Sequence, residues 1–126
     1  MEGKEKEWLE QAQADFKTAK DLLKAKDYYA SVNYSQQCAE KSLKAVYILL
    51  KKQLPPKIHD LVELGRLINL PSELIVEAQK LTPTFLTVRY PDAAPLIPVK
   101  FYDQTKAKNH FQETRGILRW VEKKII

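Results

Sequence analysis

The chain has 126 residues, 44% hydrophobic and 29% charged, with a net charge of +5, a composition that supports one domain with a core of its own and, with only three Gly and seven Pro, excludes a low-complexity or disordered chain. A single cysteine, Cys38, excludes an intrachain disulfide and fits a reducing cytoplasm. The charged start MEGKEKEWLE lacks the apolar stretch of a signal peptide, and no window approaches the ~18 apolar residues of a membrane span.

Residues 5–25 read as the first helix. Trp8, Ala12, Phe16, Ala19, Leu22 and Leu23 recur at spacings of three and four, and the other face is Glu, Gln, Lys and Asp. Asp15 sits beside Phe16 at the edge of the apolar stripe, where a buried carboxylate would need a partner. It is read as an exposed rim residue. The two-residue link Lys26-Asp27 then folds the chain back as an antiparallel hairpin. The second helix, 28–52, is the centre of the chain. It has neither Gly nor Pro and is long enough for about seven turns. Tyr34, Cys38, Ala45, Val46 and Leu49 form one stripe, with Leu43, Tyr47 and Leu50 beside it. Asp27 is placed to cap its first turn, and Cys38, on the core stripe, reads as a buried inert thiol.

Pro55-Pro56 ends that helix. Asp60 caps a short helix at 60–68 that points Leu61, Leu64, Leu67 and Ile68 inward. After the turn Asn69-Leu70-Pro71, Ser72 is expected to cap a helix over 72–88. Its inward face is Leu74, Ile75, Ala78, Leu81, Phe85 and Leu86, and Pro83 kinks or breaks it. Pro91, Pro95 and Pro98 make 89–102 an extended segment, long for a compact domain and therefore a functional candidate. Asp103 caps the last helix, 103–124, with Ala107, Phe111, Leu118, Val121 and Ile125 on one stripe and Lys123 and Lys124 at the favourable end of its dipole. No strand signal occurs. The expected fold is all-α, an antiparallel up-and-down bundle of four to five helices forming a single domain, 1–126. Tyr28, Tyr29, Tyr47, Tyr102 and Trp120 are more large side chains than one small core needs, which points to a homodimer.

Composition assigns no chemistry. Residues 1–60 hold 11 Lys/Arg against 9 Asp/Glu, and residues 61–126 hold 10 against 7, so there is no basic tail; a polyanionic partner is permitted, not demanded. His59 and His110 have no metal-ligand spacing, and Gly3, Gly65 and Gly116 cannot build a phosphate-cradling loop. No metal and no cofactor are expected. Three polar groups remain. Gln37, Lys41 and Lys44 follow one helical face, with Gln36 and Glu40 on the next. These read either as a solvated face with an internal Glu–Lys pair or as the lining of a groove. His59 precedes a helix start, as a surface loop histidine or a functional one. Arg89-Tyr90-Pro91-Asp92 follows a helix end, where Arg either satisfies free carbonyls or offers a guanidinium fork to phosphate. In the second case Arg89 is expected to face a groove with Glu40 or Asp92 near it.

Taken as a set, these residues resemble a known family. Ala12-x-x-Asp15 after Trp8, then Gln36-Gln37-x-x-Glu40-Lys41-x-x-Lys44-Ala45, the Pro-Pro-Lys-x-His59-Asp60-Leu turn, and Arg89-Tyr90-Pro91-Asp92 are together similar to the HEPN family, from Trp8 to about Lys123. The resemblance implies a helical bundle that dimerises, and pairing with a small nucleotidyltransferase as toxin and antitoxin. It also implies, in many members, metal-independent ribonuclease activity. Ribonuclease members carry a His five to seven positions after the Arg; Tyr90 through Leu96 contain none. The expectation is therefore a nucleotide- or RNA-binding module in the cytoplasm without DNA specificity. Gln37, Glu40, Lys41, Lys44, Arg89 and Tyr90 would line its groove. An active ribonuclease would have to use Arg89 with Tyr90, Asp92 or His59, and a structural subunit without a ligand is the third reading.

Overall fold

A computed structural model describes residues 3–126. The helices are α1 (Lys4–Lys24), α2 (Tyr28–Lys51), α3 (Leu61–Leu67), α4 (Ser72–Leu81), α5 (Thr84–Thr87), α6 (Pro98–Phe101) and α7 (Gln104–Ile125), and no strand occurs among the described residues. Paired contacts give the directions. Asp15 meets Lys41 while Ala19 meets Ser31, so α1 and α2 are antiparallel. Phe16 stacks on Phe111 while Gln13 reaches Glu122, so α1 and α7 are antiparallel too. Leu74 lies by Gly116, and Glu77 and Lys80 lie by Asn109 and Glu113, which sets α4 against α7. The long helices thus alternate up and down, as expected for the bundle.

The main core lies where these helices meet, around Leu43, Leu61, Leu64, Leu81, Ile117 and Val121, all completely or almost completely buried. A smaller apolar cluster of Val32, Val88, Tyr102 and Ala107 closes the end of the bundle near the α1–α2 turn. α1 and α3 stop by the same device. Lys26 and Asn69 take left-handed backbone angles (φ 64° and 58°), and the next N–H reaches back to Leu22 and Gly65 respectively, satisfying carbonyls that the helix leaves free. At the second stop Leu70 folds over Gly65 so closely that a Cβ there would lie 2.9 Å from Leu70 Cδ2 and from Ile75 Cδ1.

Several expectations need correction. α2 ends at Lys51, because Lys52 turns left-handed (φ 56°) before the prolines are reached. Asp27 and Ser72 make no side-chain cap; Pro71 precedes α4, and Ser72 is its first residue and bonds Glu73 instead. The helix expected over 72–88 breaks at Thr82-Pro83 into α4 and α5. The break turns Leu86 out to solvent. The segment after Arg89 is not extended: it is a run of turns, and Pro98 opens a helical turn, α6, since proline lacks only an N–H that a first turn leaves unused anyway.

Candidate functional site

Glu40 is the hub of the polar residues on α2. Its carboxylate accepts hydrogen bonds from Gln36 Nε2 (2.9 Å), Lys44 Nζ (3.0 Å) and His59 Nδ1 (3.0 Å to Oε1, 3.2 Å to Oε2). Burial works against the ionised carboxyl, but the hydrogen bonds from Lys44 and His59 outweigh it and hold Glu40 below its ordinary pKa. An ionised carboxylate only accepts, so Nδ1 of His59 carries the proton and, in the neutral ring, Nε2 is left as the basic atom. Lys44 is almost buried, with Glu40 as its counter-ion.

His59 is held from a second side. Asp60 caps α3 by accepting from the Val62 and Glu63 amides, while Thr82 Oγ1 accepts from Leu61 N (3.1 Å) and ties the start of α3 to the end of α4. That tie brings Phe85 onto His59, with ring centroids 4.0 Å apart and an interplanar angle of 14°. The Arg89 guanidinium lies 4.0 Å from the same Phe85 centroid. Two groups at that distance cannot share one face of a phenyl ring, so His59 and Arg89 take opposite faces. Imidazole, phenyl and guanidinium form one stack, standing on Glu40 and Lys44. Arg89 also donates from a terminal guanidinium nitrogen to the Phe85 carbonyl (2.7 Å), the helix-stop role that its position implies. Of its five N–H donors, one is engaged among the described residues.

The other expected residues divide between two places. Lys41 leaves the face it shares with Lys44 and crosses to α1, where it bonds Asp15 Oδ2 at 2.6 Å and lies 3.5 Å from Gln37 Oε1. Asp15 is therefore not a rim residue: it is buried, held by Lys41 and by Gln11 Nε2 (3.1 Å). Arg89 is exposed and makes no ion pair with Glu40 or Asp92; Phe85 and His59 stand between it and Glu40. Tyr90 and Asp92 are exposed. The Ala93 amide bonds the Tyr90 carbonyl, so Tyr90-Pro91-Asp92-Ala93 is a turn with Pro where its fixed φ is favoured. Cys38 is buried, and burial pushes its thiol up to about 12.

A model of the HEPN domain matches residues 5–124. The chain belongs to the HEPN family. Over 42 residues it is 50% identical to "Putative toxin MJ1304" of Methanocaldococcus jannaschii, a stretch that covers 33% of this chain and only 28% of that protein. The fold is similar to that of TT1696 from Thermus thermophilus (TM-score 0.88, 28% identity, 99% of this chain and 100% of that one). It is also similar to ST0689, an archaeal HEPN homologue (TM-score 0.83, 27% identity, covering 97% and 98%). An HEPN domain protein of Thermotoga maritima, TM0613, shares the fold at 24% identity (TM-score 0.72, covering 93% and 95%).

Sequence reasoning missed Phe85, which it assigned to the buried face of the helix expected over 72–88. The available signal was spacing: Phe85 and Arg89 are four residues apart at a helix end, where a cation lands over an aromatic ring. Among the described residues of this HEPN domain no group of three or more His, Cys, Asp or Glu is arranged to hold a metal ion, and no helix is long and apolar enough to cross a membrane.

Proposed function

We propose that this HEPN domain is a nucleotide- or RNA-binding interaction module whose binding surface is the His59–Phe85–Arg89 stack. One observation carries the reading: Arg89 is fixed by Phe85 on one side and by a helix carbonyl on another, yet keeps most of its donors toward solvent. A guanidinium held in this way loses little freedom on meeting a planar anion and can grip it with two parallel bonds. Tyr90, exposed beside it, offers a ring for a base, and Glu40 and Lys44 brace the stack from beneath. The resemblance to a protein named as a toxin favours a place in a toxin–antitoxin pair, with a small nucleotidyltransferase-domain protein as partner and a second copy of this chain as dimer mate. The binding test is titration with labelled nucleotides and RNA. Arg89→Lys keeps the charge but loses the fork, so affinity should fall about tenfold; equal affinity overturns the reading.

A second reading rests on the Glu40–His59 pair. With Nδ1 bound to a carboxylate, Nε2 of His59 is placed to take a proton, and Arg89, across the Phe85 ring from it, would stabilise phosphate charge. Such a ribonuclease would need no metal. Cleavage of labelled RNA in a chelator, abolished by both His59→Ala and Arg89→Ala, would establish it, whereas intact RNA leaves binding alone.

A further inference from the structure

The α1–α7 side of the bundle, away from the Arg89 stack, carries a strip of cations without counter-ions. On α7, Lys108, Arg115, Arg119 and Lys123 recur at seven, four and four, a single helical face about 22 Å long. On α1, Lys20 and Lys24 border it. The Phe16–Phe111 stack, with centroids 4.5 Å apart, fixes the register: Lys20 lies one turn after Phe16 and Lys108 one turn before Phe111. Because the helices are antiparallel, both fall on the same side of the stack. None of these six cations has a carboxylate within 4 Å among the described residues. Three acids lie near the strip, and the cations outnumber them. Asp21 is bound by Lys17 (2.9 Å), Glu122 accepts from Gln13 (2.8 Å), and Glu10 stands one turn before Gln13. The field is positive enough to act on Asp21, whose carboxyl is held below its ordinary pKa by the Lys17 hydrogen bond and by the charges of Lys17, Lys24 and Lys20.

The floor of this strip is partly apolar, at Phe16 and Leu118, with the Glu122 carboxylate also in its lining. A cavity of about 300 Å³ opens between Gln13, Phe16, Arg115, Leu118, Arg119 and Glu122. A second, of about 530 Å³, continues it past Lys123 to Ile126. Arg115 lies 5.8 Å from the Phe111 centroid, so its flat guanidinium is layered above an aromatic pair.

We propose that this α1–α7 strip binds single-stranded nucleic acid, with the phosphodiester backbone along the cations and bases turned toward the apolar floor at Phe16 and Leu118. A row of unpaired cations tracks a polyanion, and aromatic and guanidinium planes accept bases of any identity. A double helix would present its bases stacked inward and leave that floor unused. The site does not depend on the Arg89 reading, which concerns a different face.

The experiment measures binding of a short labelled single-stranded oligonucleotide to the full chain across a salt series, by fluorescence anisotropy. Arg115→Gln with Arg119→Gln should weaken binding about tenfold at low salt. It should also flatten the slope of log affinity against log salt by about 1.4, the loss of two backbone contacts on a single strand. Lys108→Gln with Lys123→Gln, both exposed and outside the core, repeats the test without touching Phe111. Mononucleotide titration of the same variants reports the Arg89 surface separately. Oligonucleotide affinity and salt slope unchanged in both double variants overturn the proposal, whatever Arg89→Lys does. So does tighter binding of the matching duplex or of heparin than of the single strand.

Discussion

Removing the Glu40 carboxylate strands two groups at once: the Lys44 ammonium, which is nearly buried, and the His59 imidazole, whose Nδ1–H loses its acceptor. Breaking an ion pair of this kind leaves an uncompensated charge, so Glu40→Ala is expected to cost about 3 kcal/mol in denaturant unfolding. A loss below ~1 kcal/mol would show that solvent already screens Lys44. The pH dependence has a definite sign. Glu40 titrates below its ordinary value of 4.5 in the folded chain, so its contribution is complete above that value and disappears as pH falls through the folded pKa. The stability gap between the parent and Glu40→Gln should therefore narrow on acidification, and a gap constant with pH would contradict the pairing. Position placed Glu40, Lys41 and Lys44 on neighbouring faces of one helix and allowed a Glu–Lys pair among them, which Glu40 and Lys44 form. It did not reveal the partners, because Asp15 is 26 residues from Lys41 and His59 is 19 from Glu40, and only the packed helices bring them within reach.

At the scale of elements, local chemistry and packing contributed differently. Caps were legible only in part. Asp60 and Asp103 accept from the first-turn amides as their positions imply, whereas Asp27 and Ser72 sit where a cap is expected and make none. The break at Thr82-Pro83 was marked by its proline, but its consequence was not. Thr82 anchors α3, α5 starts afresh, and Phe85 swings from core to surface stack. α3 has only seven residues, too few to stand without its cap and packing. Asp60→Ala should cost about 1 kcal/mol and raise hydrogen exchange in the α3 amides first. It should also loosen His59, next in the chain, so the His59 ring resonances should shift toward those of a free histidine. Exchange raised evenly over the whole chain would mean that α3 does not open on its own. Gly65 sets a second limit on α3. Gly65→Ala places a methyl against Leu70 and Ile75, an overpacking expected to cost about 1–3 kcal/mol in thermal or denaturant unfolding.

At the scale of the molecule, the distribution of apolar side chains argues for a second copy. The aromatic residues that the sequence offers as an interface are mostly internal. Tyr102 is buried, and Tyr28, Tyr47 and Trp120 are packed against the core clusters, with Tyr29 alone exposed. The uncovered apolar groups lie elsewhere. Leu86, Tyr90, Leu96, Ile97 and Val99 are between 42 and 62% exposed, and they fall within fourteen consecutive residues that also contain Arg89. Isolated exposed leucines need no account, but five large exposed apolar side chains so close together in the chain are the material from which an interface patch is made. Such a patch is self-complementary only about a two-fold axis, which would bring two Arg89 stacks toward one another. The expected mass by light scattering at micromolar concentration is therefore twice the 14.6 kDa chain. Leu96→Lys with Val99→Lys should give a monomer of unchanged helix content, since neither side chain belongs to a core cluster. If the dimer is what assembles the nucleotide surface, the same variant should also lose mononucleotide affinity. A parent chain that runs as a monomer across the micromolar range would sink the dimer and leave the patch to a different protein partner.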